Sequence, residues 1–175
     1  MSEMIRTVLE NELVRLQPLT AADFEGLYAV AADPLIWEQH PEKDRWQKAI
    51  FRRFFDAAIA SKGAYSIIDK TTGEIAGSTR FYKAQGEDDT ILIGYTFFAV
   101  KYWGSGCNSI VKKLMLDHIF QYVTQINFHV GEENIRSQQA IAKLGAVRIG
   151  NETVTIAGEA PKQRLVYALY KSNWH

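Results

Sequence analysis

With 175 residues, 47% of them hydrophobic, the chain is long enough for one domain with a sizeable core and short for two, so a single domain over residues 1–175 is expected. Twenty basic residues balance twenty acidic ones, which excludes the electrostatic footprint of a general nucleic-acid or anionic-membrane binder. The lone Cys107 excludes an internal disulfide framework, the four histidines show no zinc-ligand spacing, and no apolar run approaches the roughly 18 residues of a membrane span. No metal is expected. The opening MSEMIRTVLENELV lacks the apolar core of a signal peptide, so a reducing cytoplasm fits best.

Residues 12–17, ELVRLQ, alternate apolar and polar up to Pro18 and predict a short strand. In TAAD, Thr20 and Asp23 make a capping-box pair that opens a helix over about Ala21 to Ala31. A loop bounded by Pro34 and Pro41 follows, carrying Trp37, Glu38 and His40. Trp46, Ile50, Phe54 and Ile59 recur near helical spacing and predict a helix from Asp44 to about Ser61, stopped by Gly63. Arg52 and Arg53 within it read as a solvated face.

The period then changes. AYSIID and EIAGSTRFY, joined by KTTG, read as a hairpin, and TILIGYTFFAV after the acidic turn GEDD reads as the third antiparallel strand of a meander. Residues 108–123 form a half-buried helix with Asn108, Lys112, Lys113, Asp117 and Gln121 on one face and Val111, Leu114, Ile119 and Val123 on others. The strand INFHV comes next, then a helix capped by Asn134 and ended by Gly145, then AVRIG and RLVYALY as two strands paired across a polar turn at Gly158. The order is α+β with a parallel unit in the middle. No repeat or linker interrupts it.

The middle unit carries YWGSGCN, residues 102–108, at its strand-to-helix junction. Two schemes compete for it. A Rossmann fingerprint needs a third glycine where Ser109 stands, although Glu132 mimics its ribose-binding acid, so a nucleotide-dependent oxidoreductase using NAD stays an alternative. A coenzyme A site needs only successive backbone N–H groups from Gly104 to Ser109 and the positive end of the helix, with no side-chain cation. No Walker motif is present.

Three stretches, IGYTFFAVKYWGSGCNSIVKKLML, ENIRSQQAIAKLGAVRIG and RLVYALYKSNW, together with the opening VRLQPLTAADFEGLYAVAADP, resemble the GNAT superfamily of N-acetyltransferases. Within it the chain is similar to the branch of ribosomal-protein N-terminal (alanine) acetyltransferases. The resemblance spans nearly the whole chain. Set on residues 103–108, the superfamily's Gln/Arg-x-x-Gly-x-Gly/Ala pattern has Trp103 in place of the basic or amide residue and Asn108 in place of the small one.

The resemblance implies a mixed, twisted, mostly antiparallel sheet flanked by helices, with a central β-loop-α-β unit that binds acyl-CoA. It implies that the strands carrying Phe98 and Val130 splay apart, that the backbone of Phe98 and Val100 pairs with the pantetheine arm, and that phosphates sit at Gly104, Ser105, Gly106, Cys107, Asn108 and Ser109, with Trp103 beside them in the cofactor site. It implies that Asn134 faces the arm. Ser137, one turn on, is the candidate for protonating the departing thiolate, with Tyr95 a second candidate acid. Glu38 and His40 border the acceptor site, where either could orient the amine or take its proton.

Each assignment has a plainer counterpart. Gly104 and Gly106 could make an ordinary tight turn, Asn134 caps any helix, Tyr95 packs like most strand tyrosines, and Cys107 sits where any small residue suffices. The implied reaction is acetyl transfer from acetyl-CoA to a primary amine, either a protein N-terminus or a small molecule. An acyl-CoA-sensing domain without catalysis is the alternative. The final strands, or the aromatic helix around Phe54, could make a homodimer contact.

Overall fold

The computed structural model describes residues 4–83, 90–154 and 161–175. The expected turns at GEDD and Gly158 lie outside them. Eight strands form one sheet: β1 (Leu9–Glu10), β2 (Val14–Pro18), β3 (Ala64–Asp69), β4 (Ile75–Lys83), β5 (Ile91–Phe98), β6 (Gln125–Gly131), β7 (Val147–Val154) and β8 (Lys162–Tyr170). Four α-helices join them: α1 (Phe24–Ala31), α2 (Lys48–Ser61), α3 (Cys107–Ile119) and α4 (Ile135–Lys143). The strand order is β1-β2-β3-β4-β5-β6-β8-β7. Every neighbouring pair is antiparallel except β5 and β6. The mixed, mostly antiparallel α+β sheet matches the expectation. The two-residue β1 carries too little pattern to be read from sequence.

Local chemistry accounts for the boundaries. Thr20 N–H donates to Asp23 Oδ2 at 2.7 Å, so the expected pair opens the first turn, which is 3-10 over Ala21–Asp23 before α1 begins. α2 starts at Lys48 because residues 44–47 close a turn, with Gln47 N–H donating to Asp44 O at 3.0 Å. Its buried face is Phe51, Phe55 and Ala58, one step round from the expected stripe, and Trp46 is left 38% exposed. The helix ends on Lys62 in the left-handed region, φ 58°. Gly63 is needed instead for close approach, since a Cβ there would lie 2.1 Å from the Phe81 carbonyl oxygen.

The sheet separates two cores. Leu16, Ile67, Phe81 and Ile93 pack against Val111, Met115 and Ile119 of α3 on one face. Phe24 and Leu27 of α1 pack with Phe51 and Phe55 of α2, Trp37 and Phe97 on the other. No helix among the described residues is long and apolar enough to cross a membrane.

Two irregularities position the site. Between β4 and β5, Ser78 pairs with Phe97 but Arg80 pairs with Gly94, so β5 carries an extra residue there. Tyr95 takes up the bulge at φ 53°, a left-handed conformation that is costly for a tyrosine. As a result Tyr95 and Phe97 both meet Phe54 on the α2 side, while Thr96 reaches Lys112 of α3 on the other. The second irregularity is the parallel pair, which is in register only at Ile91–Ile126 and Leu92–Asn127. Beyond these residues β5 and β6 part, and β6 stays paired to β8 as far as Gly131–Arg164.

Candidate active site

The parted strands enclose a slot of about 510 Å³, lined on one side by Ile93 to Phe98 and on the other by Phe128 to Gly131. The start of α3, the start of α4 and the loop before α2 complete its walls. Side chains from distant parts of the chain meet here because the sheet opens here.

At the α3 end, Gly104 and Gly106 adopt φ 70° and 84°, and α3 has its first intrahelical bond from Ile110 N–H to Gly106 O at 3.1 Å. The N–H groups of Asn108 and Ser109 therefore have no intrahelical acceptor and sit at the positive end of the helix. Gly104, Gly106, Asn108 and Ser109 line the slot. Ser105 and Cys107 do not. Ser105 N–H donates to Tyr102 O at 3.3 Å, Cys107 N–H to Ser105 Oγ at 3.3 Å, and the Cys107 side chain is buried in the α3 core, where burial raises its thiol pKa. Only part of the expected run thus presents amides to the slot. The donor set fits a pyrophosphate: backbone N–H groups at a helix start, with no side chain above either glycine.

With both slot glycines placed, the superfamily spacing falls two residues earlier than set out above, and its basic position is Lys101. That ammonium is exposed and pairs with Glu74 away from the slot. A cation arrives from elsewhere. Arg136 of α4 lies over the Trp103 ring, 3.9 Å from its centroid, and both residues line the slot. Arg136 also donates to Ile36 O at 3.3 Å, and its N–H donates to Gln39 Oε1 at 3.2 Å, tying α4 to the loop before α2.

Trp103 indole N–H donates to Phe98 O at 3.2 Å, so that carbonyl is already engaged. β5 ends at Phe98. Val100 begins a 3-10 turn, gives its carbonyl to Trp103 N–H at 3.0 Å and does not line the slot, so an added-strand pairing does not extend to it.

At the start of α4, Asn134 is 8% exposed and its Oδ1 accepts from Ser137 N–H at 3.2 Å. The cap leaves the Asn134 amide group and the Ser137 hydroxyl side by side on the slot wall. Tyr95 also lines the slot, held between the Tyr82 ring at 4.9 Å and the Arg80 guanidinium at 4.1 Å from its centroid.

His40 lines the slot, whereas Glu38 is exposed and outside it. Arg45 Nη1 lies 3.2 Å from His40 Nδ1. A guanidinium only donates, so Nδ1 accepts and the ring proton sits on Nε2. Burial, then the charges of Arg45, Arg164, Arg136 and Lys162, hold His40 well below the ordinary histidine range. His40 is a neutral hydrogen-bond donor. Arg45 itself is satisfied by Glu42, at 2.7 Å to Nε and 2.6 Å to Nη2.

On the opposite face of β5, Lys112 is 5% exposed, donating to Thr96 Oγ1 at 2.6 Å and more weakly to Thr79 Oγ1 at 3.4 Å. The helical pattern placed it on a polar face. Instead it pins the bulge from below, and burial pushes its pKa down to about 7. An unfolded lysine titrates near 10.4, so the unfolded chain binds more protons between about pH 7 and 10, and this residue's penalty shrinks as pH rises. Lys112→Met is therefore expected to raise Tm by roughly 5 °C at pH 7 and by clearly less at pH 9.5. Differential scanning calorimetry at the two pH values checks it; a gap that does not narrow contradicts a depressed Lys112.

A family model of the acetyltransferase (GNAT) domain matches residues 14–147. The chain belongs to the GNAT acetyltransferase family. Among solved structures, a GCN5-related N-acetyltransferase from Brucella melitensis superposes with a TM-score of 0.81 at 20% identity, over 97% of this chain and 80% of the other. Mycobacterium smegmatis RimJ, in complex with CoA-disulfide, gives 0.74 at 17% identity over 97% and 90%. Ribosomal-protein-S5-alanine acetyltransferase from Vibrio fischeri gives 0.68 at 14% over 97% and 99%. The ribosomal-protein-S5-alanine acetyltransferase and RimJ thus share the fold of this GNAT protein.

Sequence reasoning missed Arg45, Arg80, Arg136, Arg164 and Lys112. One signal was available: Arg80 stands in the middle of the β-rich run EIAGSTRFY, in line for burial, where a charge is costly unless it has work to do.

Proposed function

We propose that this GNAT protein transfers an acetyl group from acetyl-CoA to a primary amine. The observation that carries the reading is that the amide-rich start of α3 and the Asn134–Ser137 turn of α4 open into one slot between β5 and β6. Gly104, Gly106, Asn108 and Ser109 would hold the pyrophosphate, with Arg136 on Trp103 supplying the side-chain cation. Asn134 would hold the arm through its side-chain amide. Acetyl-CoA supplies an activated acyl thioester when bound.

The chain's own groups then do three things. Backbone N–H groups of the unpaired edge of β5, near Phe98, stabilise negative charge developing on the acyl oxygen. Ser137 protonates the departing sulfur and recovers a proton from the amine nitrogen, which sheds one as the amide forms, with Tyr95 as the second candidate. The burial and the cations that keep His40 neutral also favour the neutral, nucleophilic form of a bound amine, so a terminal α-amine of pKa about 8 needs little help from a base. His40, with its proton on Nε2, orients the acceptor and does not deprotonate it. Glu38 acts on Arg136 from outside the slot, its charge opposing the drop that burial imposes on that guanidinium's pKa.

The fold neighbours that acetylate ribosomal proteins support a protein N-terminus as one acceptor class, and small amines are the other. A thiol-release assay with acetyl-CoA over peptide N-termini, amino acids and polyamines tests the reading. Turnover with one amine class is expected; acetyl-CoA binding without turnover on any amine would favour an acyl-CoA-sensing domain.

A further inference from the structure

The face of the sheet that meets α2 carries more cation than it can neutralise. Arg80 is 5% exposed, and its Nε and Nη2 have no hydrogen-bond partner among the described residues. Arg164 Nε is buried and unpartnered in the same sense, and neither guanidinium is in an ion pair among the described residues. Of the nearby carboxylates, Glu42 pairs with Arg45, and Glu152, in register with Arg164 across β7–β8, has Oε2 3.0 Å from His129 Nε2 without making a hydrogen bond to it. Buried charges are normally paired, because leaving one unpaired is expensive.

The two arginines differ in what they can touch. Arg80 lies behind Tyr95, so it acts as a fixed positive charge. Arg164 lines the slot, half-buried, and its partner in register on β6 is Gly131, over which Pro41 packs. His40 lines the same slot with its Nε2–H available, and its titration responds to the Arg164 charge. A guanidinium fork and a neutral N–H lining one slot match a planar carboxylate. The CoA phosphates are accounted for by α3 and Arg136.

We propose that the acceptor amine of this enzyme carries a carboxylate, bound by Arg164 and His40 on the α2 face of the slot. This rests on the acetyl-transfer reading. The carboxylate belongs to a free amino acid or to the side chain of an acidic N-terminal residue. In either case the cation that binds it also disfavours protonation of the neighbouring amine, so recognition and activation come from one group.

The test pairs turnover with binding. Thiol release is measured with amino acids, their amides, N-terminal peptides beginning with Asp or Asn, and polyamines, for the wild type, Arg164→Gln and Arg164→Lys. Amidation of the carboxylate is expected to lower kcat/KM by about 30-fold in the wild type, mostly through KM, by no more than about 3-fold in Arg164→Gln, and by an intermediate factor in Arg164→Lys. The amino-acid and Asp-peptide arms tell the two sources apart. In parallel, calorimetry with and without CoA compares an N-acetyl amino acid with its methylamide, which needs no chemistry. At least 10-fold tighter binding of the carboxylate, lost in Arg164→Gln while CoA affinity is kept, supports the site. Equal binding of the two, or a preference for polyamines in turnover, overturns it and leaves acetyl transfer standing. Selective binding of the carboxylate with no turnover on any amine keeps the anion site and sinks the acetyl-transfer reading.

Discussion

Replacing Gly106 by valine is expected to weaken acetyl-CoA binding at least 100-fold while lowering Tm by only a few degrees. Gly106 adopts φ 84° directly before α3, and a Cβ there would meet nothing within 4 Å. The substitution therefore carries backbone strain of roughly 1–2 kcal/mol but no clash within the protein. What the new methyl groups do occupy is the space over the helix start, where the N–H groups of Asn108 and Ser109 point. Gly73 provides the control. It has φ 77° in the β3–β4 hairpin, also with nothing within 4 Å of a Cβ, and it does not line the slot. Gly73→Val should cost similar stability and leave acetyl-CoA affinity unchanged. If the two variants match in Tm and also match in affinity, the α3 loop is an ordinary turn and the cradle assignment fails.

Removing the Ser137 hydroxyl should lower kcat by about 100-fold with little change in KM for acetyl-CoA. The alanine variant keeps the backbone N–H that Asn134 Oδ1 accepts, so the α4 cap survives and folding is not in question. Tyr95→Phe separates the two candidate acids. Tyr95 earns its strained φ of 53° through packing against Tyr82, Phe54 and Arg80, and phenylalanine keeps that packing. A 100-fold loss in Tyr95→Phe together with normal kcat in Ser137→Ala would move the acid role to Tyr95. Normal kcat in both would leave the departing thiolate to be protonated by solvent.

The parts of this protein that were legible in its sequence are those governed by local chemistry. Glycines before α3, Asn134 before α4 and the Thr20–Asp23 pair act within a few residues of themselves, so their meaning survives without tertiary information. The doubly faced helix α2 was harder. Three phenylalanines and two isoleucines along it admit more than one apolar stripe, and only packing against Phe24 and Phe97 selects Phe51 and Phe55. Of the charged wall on the α2 side, only His40 was read from the sequence. Arg80, Arg45 and Arg164 come from β4, the loop before α2 and β8, and nothing but the splay of β5 from β6 brings them together with it. Lys112 misled for a related reason: its spacing is that of a solvent-facing lysine, and the hydroxyl pair Thr79–Thr96 that receives it lies on other strands. Trp103 looked like the loss of a cation until Arg136, 33 residues later in the chain, was found lying on its ring.

Amide hydrogen exchange with and without CoA tests the slot most directly. Binding is expected to slow exchange at Gly104, Gly106, Asn108 and Ser109 and at the first turn of α4, with Ser105 and Cys107, whose N–H groups are already bonded, changing least. CoA binding that protects another surface, or that leaves the start of α3 exchanging as before, would contradict the account.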